Sequence, residues 1–141
     1  MPEPQRPLPQ PTDLTRPYWE AAAMGELHLQ RCGACGRWQF YPRPFCLACE
    51  SGELHWQRAS GLGKVYTYTV NHRAPNPFMK ARLPYVVAIV ELDEGPRLMA
   101  NVLGATSADM AIGRRVQITF EPVADGLALP QCSLLADGAA A

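Results

Sequence analysis

With 141 residues, 48% of them hydrophobic and 18% charged, the chain can bury a core, which excludes global disorder and leaves room for one domain or two very small ones sharing an interior. Thirteen Lys and Arg balance thirteen Asp and Glu, so the overall basic excess that drives phosphate-backbone binding is missing. The start carries no apolar stretch of the signal-peptide kind and no run approaches the ~20 apolar residues of a membrane span, so a cytoplasmic protein without membrane association is expected.

Residues 1–12 contain five prolines and little to bury, and residues 1–14 are expected to form a flexible tail. "LTRPYWEAAAMG" then predicts a short helix, with Thr15 as N-cap, Pro17 in the first turn and Gly25 as the stop. Trp19 and Ala23 share one face of it and should dock. Leu27 and Leu29 alternate with His28 and Gln30, a strand signature, and "ELHWQRAS" resumes extended structure after a cysteine-rich stretch. Helix and cysteine-rich ribbon together are assigned residues 15–59.

From Gly61 onward the pattern is all-β, in five runs. "GKVYTYTVNHR" is rich in β-branched and aromatic residues, and "PYVVAIVEL" is apolar enough to be buried on both faces. "RLMANVLG" alternates Leu98, Ala100 and Val102; "RRVQITFEP" alternates Val116, Ile118 and Phe120; "LALPQCSLL" is a weaker strand interrupted by Pro130. Between the third and fourth runs, Thr106 or Ser107 can cap one or two helical turns ending at Gly113. Five short strands with a small helix after the third is the order of an OB-fold barrel, assigned residues 60–135, with 136–141 as a second flexible tail.

Cys32-x2-Cys35 and Cys46-x2-Cys49 are separated by ten residues. Two C-x2-C pairs at such spacing can complete a tetrahedron of thiolates around one ion, and in a chain without export disulfides are disfavoured. Gly36 suits the tight turn after the first pair, whereas Glu50 stands at the corresponding place after the second. Four thiolates close the shell that a catalytic zinc leaves open, so Zn2+ here reads as structural. Iron, as in a rubredoxin-type electron carrier, is the competing metal, although the long barrel has no role in that scheme. Arg31, Arg37 and Arg43 surround the site with no acid between Leu27 and Cys49, which reads as compensation of the site's negative charge.

The stretch "NHRAPNPFMKARLP" is long for a hairpin loop, and Pro75, Pro77 and Pro84 stiffen it. It carries Arg73, Lys80 and Arg82 with Phe78 and Met79 between them, and from Leu54 to Val90 there are five basic residues and no acid. OB-folds bind ligands with this first loop. The five loop residues are therefore candidates for a protein interface or for an anionic ligand, beside the plainer reading of a solvated loop. His72 lacks a partner with catalytic spacing, His28 and His55 lie in ribbon strands, and Cys132 reads as a small buried hydrophobe. Glu91, Asp93 and Glu94 cluster at a hairpin, where a solvated turn explains them.

The ordered set Trp19, the four cysteines, Pro42 and Pro44, Trp56, the Ser60-Gly61-x-Gly63 turn and Gly95 resembles a family built as a rubredoxin-like zinc ribbon followed by an OB-fold, over about residues 17–135. The resemblance implies a mainly β fold with an N-terminal helix, the ribbon and a five-stranded barrel. It also implies a non-catalytic accessory subunit that binds a thiolase-like or lipid-transfer-protein-like enzyme and helps form its acyl-CoA site. The attached reaction would be thiolysis, condensation or retro-aldol cleavage of a CoA ester, with structural Zn2+ as cofactor and the CoA ester as a shared ligand. The sequence departs from the family at the second knuckle, where proline and glycine often flank the cysteines. The alternative is a single-stranded nucleic-acid-binding ribbon/OB module, which the neutral charge disfavours. A stand-alone enzyme has no nucleophile–base pair, carboxylate pair or phosphate-cradling loop to support it.

Overall fold

A computed structural model describes residues 5–136, so residues 1–4 and 137–141 of the two expected tails lie outside the described residues. Helix α1 (Arg16–Ala23) runs from Thr15 to a stop at Gly25, whose φ of +81° no side chain opposes. Thr15 does not cap through its side chain; its Oγ1 accepts the Thr12 N–H at 2.9 Å and tightens the turn before the helix. The helix is gripped by β1 (His28–Cys32) on one side and by β7 (Arg115–Ala124) and β8 (Leu127–Leu134) on another. Tyr18, Trp19, Ala21 and Ala22 are consequently buried, and the expected docking of Ala23 is corrected: it is exposed. The buried stripe follows the Tyr18/Ala22 row, four residues apart, instead of Trp19/Ala23.

The first sheet holds β1, β2 (Trp38–Gln39) and β3 (Leu54–Arg58), antiparallel in the order β2-β1-β3. Leu27 and Leu29 are buried as their alternation predicts, but Gln30 is buried as well. The second sheet adds β4 (Leu62–Asn71), β5 (Tyr85–Leu92) and β6 (Arg97–Asn101) to β7 and β8, in the antiparallel order β6-β5-β4-β7-β8. The five expected runs are all strands. Their ladder does not close: the edges β6 and β8 meet at a single parallel bridge, Val102 with Cys132, where the Leu103 N–H donates to the Cys132 carbonyl at 2.8 Å. This is an OB-like, partly open barrel. The predicted small helix before β7 is one 3-10 turn, Ser107–Asp109, with the Thr106 N–H and hydroxyl donating to Asp109 Oδ2 at 2.8 and 3.0 Å.

Strand β5 is not buried on both faces. Val86, Ala88, Val90 and Leu92 point inward and are buried, while Tyr85, Val87, Ile89 and Glu91 are half-buried. A sheet curled around one interior has only one inner face, so the outward apolar residues meet little beyond their neighbours. The α1 face, Leu27, Leu29 and the inward residues of β4 to β8 form one continuous core, against which Trp38 and Trp56 pack from the ribbon.

The hairpin acids do more than solvate a turn. Asp93 accepts both terminal nitrogens of Arg115 at 2.8 and 2.9 Å, Glu91 lies between Arg97 and Lys64, and Glu94 accepts the Ser60 N–H at 2.7 Å. Hydrogen bonding from Arg115 holds the Asp93 carboxyl below its ordinary 3.8. A depressed folded pKa stabilises above the unfolded value and is lost as pH falls through the folded one. Asp93→Asn should therefore cost about 1 kcal/mol at neutral pH, discounted for exposure. In urea melts the gap from wild type should close by about pH 3 or below.

Candidate metal centre and ligand loop

The four cysteine sulfurs lie within 4.8 Å of one another, with Cys32–Cys49 at 3.6 Å and Cys35–Cys46 at 3.7 Å. A tetrahedron with Zn–S bonds of about 2.3 Å has edges of about 3.8 Å, so the thiols fit a zinc ion with little adjustment. The two knuckles repeat each other. Gly36 N–H donates to the Cys32 carbonyl and Glu50 N–H to the Cys46 carbonyl, both at 2.9 Å; Cys32 N–H reaches the Arg37 carbonyl and Cys46 N–H the Ser51 carbonyl, both at 2.8 Å. Within each turn, backbone N–H groups aim at sulfur: Ala34 and Cys35 at Cys32 Sγ (3.3 and 3.4 Å), and Ala48 at Cys46 Sγ (3.4 Å).

These donors favour thiolates. Cys35 N–H leads in lowering Cys32, and Cys49 and Ala48 N–H groups hold Cys46 at about 6. At Cys49 the Ser51 N–H pulls down, but the Cys32 thiol, burial and the other sulfurs outweigh it and push the group to about 12. Four sulfurs in contact cannot all ionise without a cation, which is what a divalent metal supplies. Around them Arg31 Nε donates to the Gly36 carbonyl at 3.1 Å, with its guanidinium 5.1 Å from the Trp38 ring centre. His28 pairs with Glu26 at 3.0 Å, and the exposed His55 ring lies against Gly33, where a Cβ would stand 2.8 Å from its Nε2.

Equivalent backbones with different residues make a test. Gly36 has φ +78° and Glu50 φ +66°, so a glutamate occupies the left-handed region that glycine takes in the first knuckle. Glu50→Gly should raise stability by about 0.5–1 kcal/mol, the relieved strain exceeding the added unfolded-chain entropy, read as a higher melting midpoint of the zinc-loaded chain.

Alternation missed the two side chains that brace the second knuckle. Gln30 Nε2 donates to the Arg43 carbonyl (2.9 Å) and its Oε1 accepts the Arg43 N–H (2.8 Å) and Gln39 Nε2 (2.9 Å). Gln39 also donates to the Phe45 carbonyl at 3.2 Å and accepts the Leu47 N–H at 3.0 Å. Both glutamines are buried, so their atoms serve as surrogate backbone partners for a proline-rich loop that has no ladder of its own. Gln30→Ala leaves the Arg43 N–H and carbonyl without their partner and should cost about 2–3 kcal/mol in denaturant titrations.

In the barrel loop, helix α2 (Pro77–Lys80) is capped by Asn76, whose Oδ1 accepts the Met79 N–H at 2.9 Å. The five loop candidates separate. Phe78 and Met79 are half-buried, and the guanidinium carbons of Arg6 and Arg82 each lie 5.0 Å from the Phe78 ring centre. Both arginines pair with Glu121, at 3.0 and 2.8 Å. Arg82 is thus engaged within the protein, and Arg6, inside the expected flexible tail, is an anchor of this loop. Arg73 and Lys80 are exposed and, with His72, line a pocket of about 610 Å³. Cys132 lies at the barrel seam, where burial pushes its thiol up to about 12, the state of a packed side chain and not of a nucleophile.

A converged four-thiol centre braced on an OB-like sheet defines a zinc-ribbon/OB-fold protein. Two family models match adjoining stretches: "ChsH2, rubredoxin-like zinc ribbon domain" over residues 19–55 and "ChsH2, C-terminal OB-fold domain" over residues 56–121. A solved structure, the "Ltp2-ChsH2(DUF35) aldolase", contains a chain 36% identical with a TM-score of 0.80, the likeness covering 89% of this chain and 98% of that one. The chain belongs to the ChsH2 (DUF35) family.

A DUF35-family protein of unknown function from Sulfolobus solfataricus shares the fold at 12% identity, with a TM-score of 0.61 over 86% of this chain and 85% of that one. A "Probable enoyl-CoA hydratase alpha subunit" of Thermomonospora curvata is 37% identical over 80% of this chain and 35% of its own length. The "3-oxo-4,17-pregnadiene-20-carboxyl-CoA hydratase alpha subunit" of Mycobacterium tuberculosis is 32% identical over 73% of this chain and 32% of its own. The chain thus spans about a third of the length of these two curated relatives.

Proposed function

We propose that the protein is a non-catalytic accessory subunit that binds a thiolase-fold, lipid-transfer-protein-like partner and helps form that partner's acyl-CoA site. The likeness to nearly the whole ChsH2 chain of a solved aldolase assembly carries this reading, and it favours retro-aldol cleavage of a CoA ester over thiolysis or condensation. The hydratase-subunit names of two longer relatives agree on CoA esters as the substrate class. Within the chain, Cys32, Cys35, Cys46 and Cys49 hold structural zinc, leaving no open coordination position for chemistry. Arg73 and Lys80 receive the CoA phosphates in this reading, which their exposure on the lining of the pocket of about 610 Å³ supports, and Arg82, Phe78 and Met79 shape the loop behind them. We place the subunit in the cytoplasm; among the described residues no helix is long and apolar enough to cross a membrane.

Coexpression with a thiolase-like subunit of the Ltp2 type tests the reading. A stable complex on size exclusion, with CoA-ester cleavage only when both chains are present, is the expected result. Turnover of a CoA ester by this chain alone, or failure to associate with any such subunit, would overturn it.

A further inference from the structure

We propose that the ribbon loop 41–47 is a rigid apolar anchor that seats in a hydrophobic cleft, rimmed by carboxylates, on the partner subunit. This rests on the accessory-subunit reading and goes beyond it by naming the face that docks. Phe45 and Leu47 are 47% and 58% exposed, on either side of Cys46, which is 1% exposed. Two large apolar side chains pointing to solvent from one turn are not required by solubility or by the zinc site, which needs only the intervening cysteine.

The backbone beneath them is fixed at almost every residue. Gln30 and Gln39 hold Arg43, Phe45 and Leu47 through their main-chain groups, the thiol cluster holds Cys46, and Tyr41 packs edge-on against Tyr18 and Phe40, with ring centres 6.0 and 5.2 Å away. The protein thus commits two buried glutamines and a metal site to one loop, and what that loop presents is Phe45 and Leu47. Presenting apolar groups from a frame already ordered removes most of the entropy cost of burying them in an interface.

Charge selects the occupant. Arg37 and Arg43 are exposed and, among the described residues, neither side chain meets an acid, and the sequence holds none between Leu27 and Cys49. Apolar anchors with an arginine rim match the composition of protein interface cores and call for a cleft edged by Asp or Glu. A dent of about 250 Å³ beside Leu47, lined by Trp38, Phe40 and Pro96, can receive a side chain in return. Two side chains are too few to hold a membrane, and two free arginines on a neutral chain too few to hold a nucleic acid.

The test uses the zinc-loaded full chain and a coexpressed thiolase-like subunit of the Ltp2 type, with affinity read by calorimetry. Phe45→Ser/Leu47→Ser should weaken binding by about a hundredfold or more, while Phe45→Leu/Leu47→Met should stay within about tenfold of wild type. Arg37→Glu/Arg43→Glu should slow association and reduce its salt dependence. Zinc content and melting curves establish that each variant is folded. Undiminished affinity of the folded serine variant overturns the anchor while leaving the accessory-subunit reading intact. Absence of binding by the wild type overturns both, and tighter binding to anionic vesicles or single-stranded DNA than to the subunit overturns the anchor in favour of those ligands.

Discussion

Cys46→Ser should release the zinc and unfold the ribbon with it. Between β1 and β3 the chain makes one two-residue strand and otherwise only turns, so the cluster and its two glutamines are what order residues 33 to 53. Apparent zinc-binding energies of ~10–16 kcal/mol in ribbon-like peptides match or exceed the ~5–15 kcal/mol that folds a whole domain, so the loss cannot be absorbed. Metal analysis should fall from about one zinc per chain to near none, with a change in Trp38 and Trp56 fluorescence as their packing against the core loosens. Acid should act in the same direction, because bound sulfurs must be thiolates and protons compete for them as pH falls. Chelator should therefore strip the metal faster at pH ~5 than at pH ~8. A cooperative, unshifted melt of the metal-free chain would contradict a structural role for the centre.

Gly63→Ala should be among the most damaging single-methyl additions in the protein. A Cβ there would stand 2.5 Å from the Glu91 carbonyl oxygen, 2.9 Å from Val90 Cγ1 and 3.1 Å from the Glu91 carbonyl carbon. Gly63 pairs with Leu92 of β5 on one side and Val116 of β7 on the other, so its strand cannot shift away from one without breaking the other. Overpacking against backbone on a central strand should cost about 3 kcal/mol, the upper end for an added methyl group. Gly52→Ala, where nothing lies within 4 Å, serves as the control and should change stability by less than about 0.5 kcal/mol in the same denaturant titration.

Much of the architecture was legible because it rests on local chemistry. Paired C-x2-C turns, the alternation in β6 and the start of β7, and the Thr106 cap are signals carried by neighbouring residues, and each appears where expected. What escaped depends on distant partners. Gln30 reads as an outward residue of an alternating strand, and only the loop folded over it, thirteen positions on, makes it a buried brace. Arg82 reads as a free cation until Glu121 and Arg6 are brought beside it. Ala23 and the outer face of β5 failed for the opposite reason: periodicity shows which residues share a face, but not how many faces another element will cover.

The junction between the two matched stretches falls between residues 55 and 56, inside β3, and α1 reaches from β1 across to β8 near the other end of the chain. For protein engineering this means the ribbon and the sheet cannot be cut apart at their sequence boundary. A chimera that transplants the metal-bearing half must carry α1 and all of β3, with its splice at Ser60 or beyond, and must supply a surface to replace β8.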